Sequence, residues 1–187
     1  MDFKKYFYES ATLLEDFIDT YEQHLNVITQ MVINALETGN TIFHVGNGGS
    51  AADAQHFDAE LVGTFYNKQR KWLRSEALTT NSSTLTAVGN DLWFDFIFSR
   101  QLEAKAKTWD LLFVFSTSGN SKNCILAVQK AKELWVTTIG LLGKDWGLLK
   151  DICDHLLIVP SENTPQIQQI HEAIFHAICE KVDAYFS

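Results

Sequence analysis

The chain has 187 residues and is 46% apolar, enough for the core of one globular domain. Its 15 Lys and Arg against 23 Asp and Glu leave a net charge of −8. That argues against nonspecific binding to DNA or RNA, which needs a basic surface, but leaves room for a local pocket for a phosphorylated metabolite. Three cysteines, Cys124, Cys153 and Cys179, form no CxxC pair, and an odd number cannot pair fully within one chain. A reduced compartment is the simple reading. The first residues lack the apolar core of a signal peptide, and no run is long enough to span a membrane. A soluble, cytoplasmic protein is expected.

Residues 3–38 contain neither Gly nor Pro and read as one long helix. Leu14, Phe17, Ile18, Tyr21, Leu25, Ile28, Val32, Ala35 and Leu36 recur at three- and four-residue steps. Gly39 is a natural stop. This apolar stripe packs either against the rest of the chain or against a sister subunit. Ile42 to Val45 is a short buried strand. The turn Gly46-Asn47-Gly48-Gly49-Ser50 follows, and Ser50 is expected to cap the next helix. That helix carries Gln55, His56 and Glu60, with His56 and Glu60 on one face.

A polar, basic link runs from Tyr66 to Arg74, and a weak strand spans Ser75 to Leu78. The hydroxyl-rich segment Thr79 to Thr86, ending at Gly89, Asn90 and Asp91, follows with no helix or strand assigned to it. Asp95 to Lys107 reads as a helix. Leu111 to Phe115 is a clear buried strand that leads into a second turn, Ser116 to Ser121. Asn123 to Leu134 is a helix and Val136 to Leu141 a strand. A short helix runs on to Cys153. His155 to Val159 is a last strand, stopped by Pro160. Residues 163–186 form a closing helix with Ile167, Ile170, Ile174, Ile178 and Val182 on its apolar side. Strands alternating with helices predict an α/β fold: a parallel sheet covered by helices on both faces, a three-layer αβα sandwich with an N-terminal helical arm. The arm is residues 1–38 and the sandwich domain 39–187.

Both Gly/Ser turns fall at the carboxyl ends of their strands, where ligands of such sheets bind. A strand, a Gly-rich turn and a helix N-terminus make an anion cradle. Gly46, Gly48 and Ala51 also match a loose dinucleotide fingerprint, but no acidic residue stands where a ribose partner is needed. Ser116, Thr117, Ser118 and Ser121 supply four hydroxyls at the second turn, whereas a plain helix cap uses one. Two such turns suit a sugar phosphate. His56 and Glu60 read either as a solvated face or as metal or catalytic groups. The closing helix bears Gln168, His171, Glu172 and His176. Gln168 and His176 share a side, and His176 lies among apolar residues, as a core histidine would.

The stretches Gly46 to His56, Glu60 to Gly63, Leu78 to Thr80, Leu85 to Asp91, Phe98 to Gln101, Ser116 to Ser121 and Ile167 to His171 together closely resemble the phosphoheptose isomerase family of sugar-isomerase (SIS) domains. The resemblance covers nearly the whole chain. It implies interconversion of sedoheptulose 7-phosphate and D-glycero-D-manno-heptose 7-phosphate for cell-surface polysaccharide. It also implies a homotetramer with sites at subunit interfaces. Carried over by motif, Asn47, Gly48, Gly49, Glu60, Asn90, Asp91, Ser116, Thr117, Ser118, Ser121 and Gln168 would bind substrate. His56, Glu60, Gln168 and His176 match the zinc-binding set, one zinc per subunit, and Glu60 and His176 match the acid/base pair. Whether zinc is catalytic, structural or substitutive stays open. Similar SIS proteins that bind the replication initiator without catalysis lack that pair; a sugar-phosphate-sensing module is a further alternative.

The chain departs from the family pattern in places. Thr64 and Gln166 stand where arginines are common, which weakens the expected grip on phosphate, and Arg74 takes a usual proline position. All five tryptophans, Trp72, Trp93, Trp109, Trp135 and Trp146, fall where the resemblance leads to an expectation of glycine. Tryptophan is costly there if those backbones need φ > 0. UGA codons read as Trp in place of Gly would account for it, and five UGG codons would remove the idea.

Overall fold

The computed structural model describes residues 2–187. Helix α1 (Phe3–Glu37) leads into strand β1 (Ile42–Gly46) and helix α2 (Gly49–Val62). Then come β2 (Ser75–Ala77), α3 (Ser82–Leu92), α4 (Ser99–Lys105), β3 (Leu111–Ser116) and α5 (Lys122–Glu133). Strands β4 (Thr137–Leu142) and β5 (His155–Ile158) and helix α6 (Thr164–Phe186) complete the chain. The five strands form one sheet in the order β2-β1-β3-β4-β5, and every pairing is parallel.

Side-chain alternation along the strands splits the core in two. Leu111, Phe113 and Phe115 of β3 face one cluster with Ile28 and Val32 of α1, Phe57 of α2 and Phe175 of α6. Leu112 and Val114 face the other, with Leu102 of α4 and Cys124 and Val128 of α5. The sheet is therefore covered on both sides, and its three central strands, β1, β3 and β4, are buried along almost their whole length.

The long apolar stripe of α1 divides its work. Phe17, Ile28, Val32, Ile33, Ala35 and Leu36 are buried in the domain core, whereas Phe3, Phe7, Tyr8, Leu14 and Ile18 stay exposed. The first half therefore keeps an apolar face that this chain alone does not cover.

Three local expectations are corrected. Ser50 is not a cap: Gly48 takes φ 59 and serves as N-cap without a side-chain bond, so the helix starts earlier and Ser50 is buried in its first turn. The hydroxyl-rich segment is helical from Ser82, because the Asn81 side chain accepts the Thr84 N–H. None of its residues is fully buried, but Leu85 and Val88 pack, half-buried, against the second core cluster. The single helix expected over Asp95–Lys107 is a 3-10 turn, Phe94–Phe96, followed by α4. The turn tightens the chain so that Ile97 and Phe98 reach the core.

His44 on β1 and His171 on α6 are fully buried. His44 Nε2 lies 2.8 Å from Ser75 Oγ, and His171 Nε2 lies 3.3 Å from the Leu142 carbonyl oxygen; neither Nδ1 has a partner. Burial holds both rings neutral, pushing His44 down to about 3 and His171 to about 4. Below about pH 6.5 the unfolded chain protonates these rings while the folded chain does not. Their contribution is complete above that pH and is lost as pH falls toward 4 and then 3. At pH 5 each ring should cost about 2 kcal/mol relative to pH 7.5. Urea midpoints at the two pH values test this, and an unchanged midpoint would contradict it.

Candidate active site

Strand β1 ends at Gly46 and β3 at Ser116, and Gly46 pairs with Phe115. The two Gly/Ser turns therefore stand side by side at the carboxyl end of the sheet. Chain order reverses between these strands, and open α/β sheets bind their ligands at such switch points. Asn47 of the first turn and the buried Asn123 of α5 exchange amide hydrogen bonds, at 2.9 and 2.8 Å. This pair ties one turn to the other. Asn123 carried no signal in the sequence, since a lone Asn near a helix start is ordinary.

In the second turn, Ser116 Oγ accepts the Gly119 N–H and Ser118 Oγ accepts the Asn120 N–H. Ser121 is the N-cap position of α5 but makes no side-chain cap bond. Thr117, Ser118 and Ser121 are all half-buried. Four hydroxyls thus line one turn, and capping consumes none of them at Ser121.

Helices α2 and α6 lie against each other with their functional residues in register. Gly49 faces Gln168, and a Cβ at position 49 would collide with the Gln168 amide. Two turns further along α6, His176 reaches His56 and Glu60. His56 Nε2 lies 3.1 Å from Glu60 Oε1 and 3.4 Å from His176 Nε2. One ligating atom from each of His56, Glu60 and His176 falls within 4.8 Å of the others. Two imidazole nitrogens and a carboxylate oxygen are a donor set that suits a divalent metal ion. Among the described residues, no Lys or Arg pairs with any of the three. All three are half-buried, so this chain alone leaves them open to solvent. His176 is therefore not a core histidine: its helix is apolar around it, but its ring points to His56.

Two more acids surround His56. Glu172 Oε1 stands 3.4 Å from its Nδ1. Asp53, one turn before His56, has a buried Oδ2 without a partner. Burial and the Glu172 charge raise Asp53 to about 7, against the opposing pull of His56. Glu172 lies between Gln168 and His176 at four-residue spacing, and that spacing was the signal for its place. Asp53 gave none.

Arg70 holds the two helices together. Its Nε donates to Asp183 Oδ1 of α6 at 2.7 Å. Its Nη1 and Nη2 donate to the carbonyls of Leu61, Lys71, Glu60 and Gly63. Both side chains of the ion pair are buried, at 1% and 5% exposure. The guanidinium thus caps the C-terminal end of α2, where Glu60 sits, and anchors it to the helix that carries His176. Within the polar, basic link Tyr66 to Arg74, no local pattern distinguishes Arg70 from the other cations. Arg70→Ala leaves Asp183 buried and unpaired and should lower unfolding stability by about 3–5 kcal/mol. A denaturant midpoint within error of the parent would refute that.

Asn90 and Asp91 close α3 on the exposed side, where the Asn90 amide donates to Asp91 Oδ1 at 2.7 Å. A cavity of about 180 Å³ lies against the first turn, lined by residues such as Asn47, Gly48, Thr79 and Phe94. Asp91 lines a different cavity of about 560 Å³, with Trp93, Ser99 and Arg100, which contains no residue of either turn. Within one chain, then, Asn90 and Asp91 are not gathered with His56, Glu60 and His176.

A 2-1-3-4-5 parallel sheet with two hydroxyl- and glycine-lined turns at its switch point is the architecture of a sugar isomerase (SIS) domain, and the SIS domain family model matches residues 5–143. A phosphoheptose isomerase from Campylobacter concisus is 47% identical over 179 residues, which cover 92% of this chain and 94% of that protein. The structure of a phosphoheptose isomerase from Francisella tularensis superposes with a TM-score of 0.93 at 33% identity, covering 97% of this chain and 96% of the other. That of the Neisseria gonorrhoeae enzyme gives 0.90 at 38% identity, with the same coverage. The chain belongs to the phosphoheptose isomerase family.

Proposed function

We propose that the chain interconverts sedoheptulose 7-phosphate and D-glycero-D-manno-heptose 7-phosphate through an enediol. The observation that carries this reading is the approach of Glu60 and His176 from separate helices, the same two helices that bring Gly49 of the first turn against Gln168. In aldose–ketose isomerisation one proton moves between neighbouring carbons, while the oxygens exchange another. Glu60 takes and returns the carbon-bound proton. His176 serves the oxygens as the acid/base partner. Asn47, Gly48, Gly49, Asn90, Asp91, Ser116, Thr117, Ser118, Ser121 and Gln168 hold the substrate, the hydroxyl-rich turn taking the phosphate. The initiator-binding alternative lacks an acid/base pair, which this chain has. The first test is turnover of sedoheptulose 7-phosphate by the purified protein; no conversion by folded, metal-supplemented protein would end the proposal.

His56, Glu60 and His176, with Gln168 on the same face of α6, would hold a zinc ion. Bound there, zinc would supply polarisation of the sugar carbonyl in place of, not alongside, proton transfer by the Glu60 and His176 atoms that hold it. Glu172 behind His56 Nδ1 favours the tautomer that leaves the Nε2 lone pair free. Glu172→Ala should therefore weaken zinc binding by about 10–100-fold, read by competition with a chromogenic chelator. Unchanged affinity would remove Glu172 from this role. A homotetramer suits the half-open acid/base pair and the uncovered apolar face of α1, since a second copy would close both. A place in the cytoplasm, making heptose for cell-surface polysaccharide, goes with this activity.

A further inference from the structure

Among the described residues, five non-glycine residues have positive φ: Trp93, Trp109, Trp135, Lys144 and Trp146. Four of them are tryptophans, from a chain that has five. L-residues with a Cβ rarely adopt this conformation, and bulky ones least of all. The other positive-φ positions, Gly39, Gly48, Gly119 and Gly147, are glycines. Lys144 apart, tryptophan is thus used here where this chain otherwise uses glycine.

The hydrogen bonds say which turns these are. At the end of α5, the Trp135 N–H donates to the Lys132 carbonyl and the Val136 N–H to the Ala131 carbonyl. That is a Schellman ending, whose left-handed residue is usually glycine. Helix α1 ends the same way, with the Gly39 N–H on Leu36 and the Asn40 N–H on Ala35. There the left-handed residue is Gly39. Trp109 sits third in a turn closed by the Asp110 N–H on the Lys107 carbonyl, the place where a type II turn requires φ > 0. Trp93, at φ 77 and ψ 152, lies in a region that is essentially reserved for glycine.

Burial does not offset the strain. Trp93, Trp109 and Trp135 are 76%, 74% and 77% exposed. Among the described residues, only the Trp146 ring has a cation partner, with Lys150 Nζ 5.1 Å from its centre. Its backbone also matters to the site. The Trp146 carbonyl packs so closely on Gly119 of the hydroxyl-rich turn that a Cβ there would overlap it.

We propose that the protein made in its own cells carries glycine at positions 93, 109, 135 and 146, with UGA codons at these positions read as glycine. Trp72 has ordinary φ, but the same codon would put glycine there too. The test is peptide mass spectrometry of the protein isolated from the cells that make it, together with the codons in its gene. Glycine-containing peptides across these positions and UGA in the gene are the expected result. Tryptophan in the peptides at any of the four positions, or UGG codons there, would overturn the proposal.

Discussion

Glu60→Gln is expected to lower kcat for sedoheptulose 7-phosphate by about 10²–10⁴-fold, the usual contribution of a positioned general base. Glutamine keeps the shape and hydrogen-bonding reach of the side chain and removes only its ability to take a proton. Glu60 is half-buried on α2, and Arg70 fixes its backbone rather than its carboxylate. The variant should therefore fold and melt like the parent. Because the same oxygen belongs to the metal-ligand set, zinc content is measured alongside. A variant with normal zinc and normal kcat would remove the base role. A variant that loses zinc but recovers its rate when zinc is added would make Glu60 a ligand only. His176→Gln should show a loss of similar size, with the same unchanged melting.

The second large effect concerns stability. Replacing Trp93, Trp109, Trp135 and Trp146 together by glycine should raise the unfolding midpoint by on the order of 5–15 °C. A residue with a Cβ in the left-handed region costs roughly 1–2 kcal/mol. Glycine returns part of that gain, because its unfolded chain is freer, by roughly 0.5–1 kcal/mol. The balance at four sites is a few kcal/mol in favour of glycine. Trp93→Gly should be the largest single step, since its ψ of 152 falls where glycine alone is comfortable. Trp72→Gly is the control: its backbone is not left-handed, so no strain is released. Thermal melts of the single and combined variants decide this. A combined variant that melts below the parent would contradict the strain argument.

Much of the architecture follows from local pattern. The short apolar-leaning run Ile42–Val45, with His44 inside it, and the apolar run Leu111–Phe115 read as buried strands, and each is buried on both faces. The closing helix follows from its isoleucine spacing, and it starts at Thr164 with Pro165 in the first turn. Segment Ser82–Leu92 escaped, because its run of hydroxyls masks a short apolar stripe of Leu85, Val88 and Leu92; its Asn81 cap is a second local clue.

The candidate site divides along the same line. Both turns and the pairs His56 with Glu60 and Gln168 with His176 could be read in sequence, because each lies within a few turns of one element. What the chain could not reveal locally was contact between elements far apart in sequence. His176 meets His56 from 120 positions away, Asn123 meets Asn47 from 76, and Arg70 binds Asp183 from 113. Periodicity and turn chemistry report a residue's face and its neighbours along one element. They carry no information on which distant face will pack opposite. The sequence by itself determined the elements, the anion-binding turns and the family. Only the folded sheet, by setting β1 beside β3 and α2 beside α6, decided which side chains meet, and the sign of φ at four tryptophans was likewise settled by the turns that the tertiary fold requires.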